Sequence, residues 1–192
     1  THENTYLVKI HDQLAEDETD IPDKEELLDF IKSITHLDEK SGRKWKGERD
    51  MIDLLEVVRS FYYHPAMKGS NSIKAVLPAV MQSGFIKKKY SSPIYGGEGY
   101  IKSLNFKNQV WVKENAKGEI ISPYKLLPTI FEDIAPEERV NFIADELIAD
   151  GGAAMTAYAR MQFTEMTETE RDLIAKGLLK YCELDTLAMV MI

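Results

Sequence analysis

A mainly α-helical chain with one small β-hairpin is what the sequence predicts, and three observations carry that reading. Apolar residues recur at intervals of three and four through the first 80 residues and again from about residue 150 onward. Residues 84–128 break the pattern with glycines, prolines, aromatics and one hairpin signal. The 192 residues are 44% hydrophobic and 29% charged, which is enough apolar material for one globular domain spanning 1–192.

In the first helix Leu7, Ile10 and Leu14 share a face, with Glu3 one turn before Leu7 on the same face. An acidic run at 16–20 and Pro22 end it. Asp23 is placed to cap a second helix carrying Leu27, Leu28, Phe30, Ile31 and Ile34, which stops near Thr35. Residues 38–48 are polar, contain Gly42 and Gly47, and read as an exposed loop. Residues 50–63 are apolar on nearly every side, which predicts a central helix stopped by Pro65. A loop at 64–71 follows, and Asn71 or Ser72 caps a helix bearing Ile73, Val76, Leu77 and Val80 that Pro78 ends or kinks.

Residues 84–128 read as an insertion. Within it Val110 and Val112 lie on one strand, Asn115-Ala116-Lys117-Gly118 forms the turn, and Ile120 with Ile121 returns. Tyr95-Gly96-Gly97-Glu98-Gly99-Tyr100 lacks both the Gly-Lys-Ser/Thr ending of a Walker loop and the preceding strand of a dinucleotide-binding turn. The last third is helical: 136–148, a small-residue helix after Gly151-Gly152, and 167–192, where Thr167 and Glu170 form a capping box. The final helix carries Ile174, Leu178, Tyr181, Asp185, Ala188 and Ile192 on one stripe, which places a carboxylate among apolar side chains.

Composition excludes several classes. No apolar run reaches the roughly 20 residues that cross a bilayer, so no membrane association is expected. Cys182 is the single cysteine, which rules out an internal disulfide or a multi-thiolate metal site, and it reads as a small buried hydrophobe. A reducing, cytoplasmic setting fits. The net charge is −8, yet residues 59–113 carry nine Lys and Arg against Glu98 alone. Such segregation points either to a polyanion partner or to a solvated lysine-rich face.

Three groupings bear on chemistry. Glu3 and Asp185 are carboxylates on apolar helix faces, where each needs an arginine, backbone N–H groups or a metal; a pair from distant elements suits magnesium or manganese. Tyr181 lies one turn before Asp185, so its phenol either bonds its neighbour in the core or orients or deprotonates a water. His64, Lys68, Ser70, Asn71 and Lys74 form a donor-rich loop running into a helix N-terminus, a geometry that suits phosphate and equally an ordinary capped loop.

The strings Asp53-Leu54-Leu55-Glu56-Val57-Val58-Arg59, Tyr62-Tyr63-His64-Pro65, Lys68-Gly69-Ser70-Asn71-Ser72-Ile73-Lys74, Asp150-Gly151-Gly152-Ala153-Ala154 and Tyr181-Cys182-Glu183-Leu184-Asp185-Thr186 carry a resemblance. Together they strongly resemble a bacterial domain family of unknown function whose core is similar to ribonuclease-H-like 3′–5′ exonucleases of the DEDD type. The resemblance implies an α/β parent fold, of which this chain is the later, mainly helical portion, and a two-metal magnesium or manganese site. Tyr181 and Asp185 match the Tyr-x-x-x-Asp motif of such enzymes, and His2-Glu3-Asn4 looks like their second motif with glutamate for aspartate. No Asp-x-Glu on a strand precedes Glu3. The implied roles are Glu3 and Asp185 as metal ligands, Tyr181 orienting water, and His64, Lys68, Ser70, Asn71 and Lys74 on the nucleic-acid backbone. The expected protein is a metal-dependent exonuclease on DNA or RNA, inactive as this chain alone and able to self-associate through uncovered apolar surface; the alternative is a non-catalytic nucleic-acid-binding or protein-interaction module.

Overall fold

The computed structural model describes residues 2–39, 42–130, 148 and 150–192. It is mainly helical with a two-stranded antiparallel sheet. The chain divides into two compact units, 1–57 and 58–192.

In the first unit, α1 (His2–Glu16) packs on α2 (Lys24–Ile34), and β1 (His36–Leu37) pairs with β2 (Trp45–Lys46) in the register His36 to Lys46 and Leu37 to Trp45. Asn4 ties helix to sheet: its amide nitrogen donates to the His36 carbonyl at 3.0 Å and its oxygen accepts from the His36 N–H at 2.9 Å. One side-chain amide thus satisfies both edge groups of a strand residue, as a neighbouring strand does. This pairing sets the rotation of α1. Asn4 and Val8 are buried, whereas Glu3 is exposed, so the expected placement of Glu3 on the apolar face is corrected. The residues 38–48 read as a loop also contain β2, because Trp45 is drawn back to Thr35 by an indole N–H to Oγ1 hydrogen bond of 3.2 Å.

The helix expected over 50–63 is shorter, α3 (Leu54–Phe61), with the Leu55 amide held by Asp53 at 2.9 Å. It is not central. Val58 is its buried residue, packed with Met67, Val76 and Ala79, while Ile52 just before it and Phe61 at its end are exposed.

In the second unit a 3₁₀ turn (Pro65–Met67) leads to α4 (Ile73–Val80), which runs two residues past Pro78. α5 (Gly84–Tyr90) is capped by Ser83 and followed by an irregular segment and a second 3₁₀ turn (Pro123–Leu126). α6 (Gly151–Phe163) packs against the long α7 (Glu168–Met191), which also contacts α4 and the second 3₁₀ turn. The helix expected at 136–148 lies outside the described residues but for Ile148.

The expected hairpin at 110–121 survives as its turn. Asn115 Oδ1 accepts from the amides of Lys117 and Glu119, Gly118 sits at φ 76, and Glu114 bridges Ile120. It does not extend into strands because the Trp111 and Val112 amides are spent on the Tyr90 carbonyl, at 3.1 and 3.0 Å, closing the C-terminus of α5. The segment 84–128 also supplies much of the main core: Tyr90, Tyr95, Phe106, Trp111 and Tyr124 pack with Ile174, Leu184 and Ala188 of α7. Trp111 is fully buried, with edge-on contacts to Phe106 and Tyr95 at 4.9 and 5.8 Å. Large apolar side chains remain exposed on this unit, among them Tyr158 and Phe163 of α6. No helix among the described residues is long and apolar enough to cross a membrane.

Candidate functional site

The apolar stripe read on the last helix is present: Ile174 and Ala188 are fully buried, Tyr181 is buried, and Asp185 is half-buried between them. A carboxylate there requires a partner, and it has one that the sequence does not announce. The phenol of Tyr124, buried in the second 3₁₀ turn, donates to Asp185 Oδ1 at 2.5 Å. Tyr124 and Tyr181 lie with ring centroids 5.9 Å apart, and the ammonium of Lys74 rests over both, 5.1 Å from the first and 5.7 Å from the second. Lys74 is on the first turn of α4, so α4, the 3₁₀ turn and α7 converge on one point.

A fourth element approaches it. Asp150 caps α6, accepting from the Ala153 amide at 2.8 Å, and Gly151 runs close enough that a Cβ there would meet the Tyr181 hydroxyl at 3.9 Å. The Ala153 hydrogen bond, aided by the positive charge of Lys74, holds the Asp150 carboxyl below its ordinary range. Both phenols move the other way. Burial and then the Asp185 carboxylate push Tyr181 up to about 12, and the same causes push Tyr124 further. At neutral pH both are therefore protonated donors. Asp185 is the acceptor of the group.

The structure thus gathers Tyr181, Asp185 and Lys74 in the second unit, with Tyr124 and Asp150 added. Glu3 lies on α1 of the first unit, exposed. His64 starts the first 3₁₀ turn and accepts through Nδ1 from the Ala66 amide at 3.2 Å. Lys68, in left-handed backbone at φ 52, lines a separate cavity of about 490 Å³ together with Lys87, Glu114 and Glu119. Ser70 is exposed and accepts from the Ser72 amide at 3.3 Å, Asn71 is half-buried, and Ser72 caps α4 without a side-chain hydrogen bond. Of the five residues expected on a nucleic-acid backbone, Lys74 is the one in contact with the Tyr181 ring.

Among the described residues no group of three or more His, Cys, Asp and Glu side chains comes together as a metal-binding set. One oxygen of Asp185 is already taken by Tyr124. These residues therefore do not by themselves constitute a magnesium or manganese centre, which calls for several oxygen ligands.

Two further features escaped the sequence reading. Cys182, expected as a small buried hydrophobe, is instead exposed, because one step along the helix turns it about 100° from Tyr181. Glu183, next in sequence, is a half-buried anchor: it accepts from the Tyr95 phenol at 2.8 Å, the Ser103 hydroxyl at 2.5 Å, and the Asn105 amide N–H and side chain at 3.0 and 2.7 Å. Burial raises its carboxyl and these donors outweigh it, so Glu183 stays below its ordinary range. Its i, i+2 position relative to Asp185 gave no signal, since all four donors come from residues about 80 positions earlier. Comparison of the chain with family models, curated proteins and solved structures gives no match.

Proposed function

We propose that this chain is part of a metal-dependent 3′–5′ exonuclease domain acting on nucleic acid, in which α7 contributes the Tyr181 and Asp185 pair and α4 contributes Lys74. The supporting observation is the position of the Lys74 ammonium over both phenol rings beside the Asp185 carboxylate. A compact cation there attracts a phosphodiester. Asp185, with one oxygen held by Tyr124, has a second oxygen toward which a water can be directed, and the protonated Tyr181 phenol stands beside that carboxylate. Magnesium or manganese, were it held beside Asp185, would supply a water of lowered pKa.

A second reading is binding without cleavage, favoured by the Tyr124 phenol held on Asp185 Oδ1. One experiment separates the two. A 3′-labelled single strand is incubated with magnesium or manganese and either this chain or a form carrying an Asp-x-Glu strand ahead of it. The longer form trims the strand from its 3′ end, and Asp185→Asn removes trimming at least about 100-fold with the circular dichroism spectrum unchanged. The chain alone binds the strand without trimming it, and Lys74→Ala weakens that binding. Trimming that survives Asp185→Asn overturns the assignment of the site; binding with no trimming in any form leaves the second reading.

A further inference from the structure

A second cavity of about 530 Å³ lies elsewhere in the same unit, between α7, the segment 105–113 and the chain after the second 3₁₀ turn. Its lining is polar and of one sign. Lys107, Lys113 and Lys180 face it together with Asn105, Gln109 and Thr129, over an apolar floor from Phe106 to Pro128. Among the described residues no acidic side chain lines it, and none of the three lysines forms an ion pair with another described residue. The cavity near Lys68 is the internal contrast: its Lys87 is paired with Glu114, and Glu119 lines it too, so its charges cancel.

Three ammonium groups around one hollow repel each other, and the repulsion is relieved when an anion sits between them. The wall is held in place by the fold. Asn108, in left-handed backbone at φ 50, folds the chain so that Lys107 and Gln109 both line the hollow. Asn105 is clamped through its backbone and side chain to Glu183, whose carboxylate is occupied by that and two hydroxyls. Glu183 stands one turn from Lys180, so the rigid helix positions the cation and the loop together. The cavity is not the Asp185 site: Lys180 lies about 7.5 Å along α7 from Asp185 and about 140° around it.

We infer that this hollow is a phosphate-binding pocket, with Lys107, Lys113 and Lys180 as its cationic walls and a phosphate ester as its ligand class. Lysine suits it as a compact, strongly hydrated donor to phosphate oxygens, and the volume exceeds what a bare phosphate needs, falling in the range of small-molecule sites. The ester belongs either to a nucleic-acid strand or to a free phosphorylated compound, and these sources are told apart by two probes. The inference stands apart from the nuclease reading, since it uses no residue of the Asp185 group.

The test titrates the full chain with inorganic pyrophosphate by calorimetry, and with a fluorescein-labelled oligothymidylate by anisotropy over a salt series. The chain is compared with Lys107→Gln/Lys113→Gln/Lys180→Gln and with Lys87→Gln, each checked for an unchanged circular dichroism spectrum. Pyrophosphate binds the native chain and Lys87→Gln alike, and the triple variant weakens it at least about tenfold. If the ligand is a strand, the triple variant also lowers the slope of log affinity against log salt by about 2; if it is a free phosphate compound, the oligonucleotide curves of native and triple variant coincide. Failure of pyrophosphate to bind, or equal binding by native chain and triple variant, overturns the inference, whatever trimming assays on Asp185→Asn return.

Discussion

Asp12 shows what a single ion pair does in a unit with little apolar core. Its two oxygens take both terminal nitrogens of Arg43, at 2.8 and 2.7 Å, and Arg43 lies over the Trp45 ring. The Arg43 hydrogen bonds, outweighing a small burial effect, hold the Asp12 carboxyl down at about 2. Because the folded value is depressed, the stabilisation is present above the unfolded value near 4 and is lost as pH falls toward 2. The pair is partly exposed, so its worth is about 1 kcal/mol or less. Asp12→Asn is expected to cost about that amount at pH 6 and only a small part of it at pH 2, read from urea unfolding followed by tryptophan fluorescence. An equal cost at both pH values would show that Asp12 acts through packing instead. At the same scale, Asn4 and Glu183 show why polar residues resist interpretation in isolation: each is defined by partners 32 and about 80 residues away.

Among elements, the glycine-rich loop is shaped by close approach rather than by phosphate. Gly96 has φ 74, its N–H donates to the Ile101 carbonyl at 2.8 Å, and a Cβ on it would stand 2.0 Å from the Phe106 carbonyl oxygen. Gly99 has a similar φ of 78 and open space around it. Gly99→Ala therefore meets only the cost of left-handed backbone, about 1 kcal/mol, whereas Gly96→Ala adds a backbone collision and should cost at least about 3 kcal/mol. Chemical denaturation of the two variants side by side decides this; similar losses would mean that the 95–101 turn moves freely. Since Tyr95 and Ser103 reach Glu183 from this loop, Gly96→Ala should also disturb Asn105, and with it the lysine-lined pocket.

For the whole molecule, a net charge of −8 and a sequence pI near 5.1 argue against general attraction to polyanions. Any affinity for phosphate must then be local. Removing Lys9, Lys24 and Lys32 as glutamines takes away the same three charges as the pocket variant, and they lie in the first unit. That control should leave pyrophosphate affinity within about twofold of native, since none of these three lysines lines the pocket and charges outside it are screened by salt. A loss matching that of the pocket variant would assign the effect to overall charge.

The sequence by itself determined the helical character, the positions of most helix starts, the capping of α7, and the stripe that sets Tyr181 beside Asp185. These follow from local chemistry: side-chain spacing of three and four, and short polar side chains that accept from backbone N–H groups one turn on. It also segregated the basic residues. Tertiary structure alone decided which face of α1 is buried, because Asn4 outcompetes the apolar pattern by satisfying a strand edge. Long-range contacts likewise brought Tyr124 to Asp185, Lys74 over two rings, and Lys180 into one hollow with Lys107 and Lys113. Hydrogen bonds and cavities join residues by proximity in space, and periodicity along one segment carries no information about the segment that comes to lie against it.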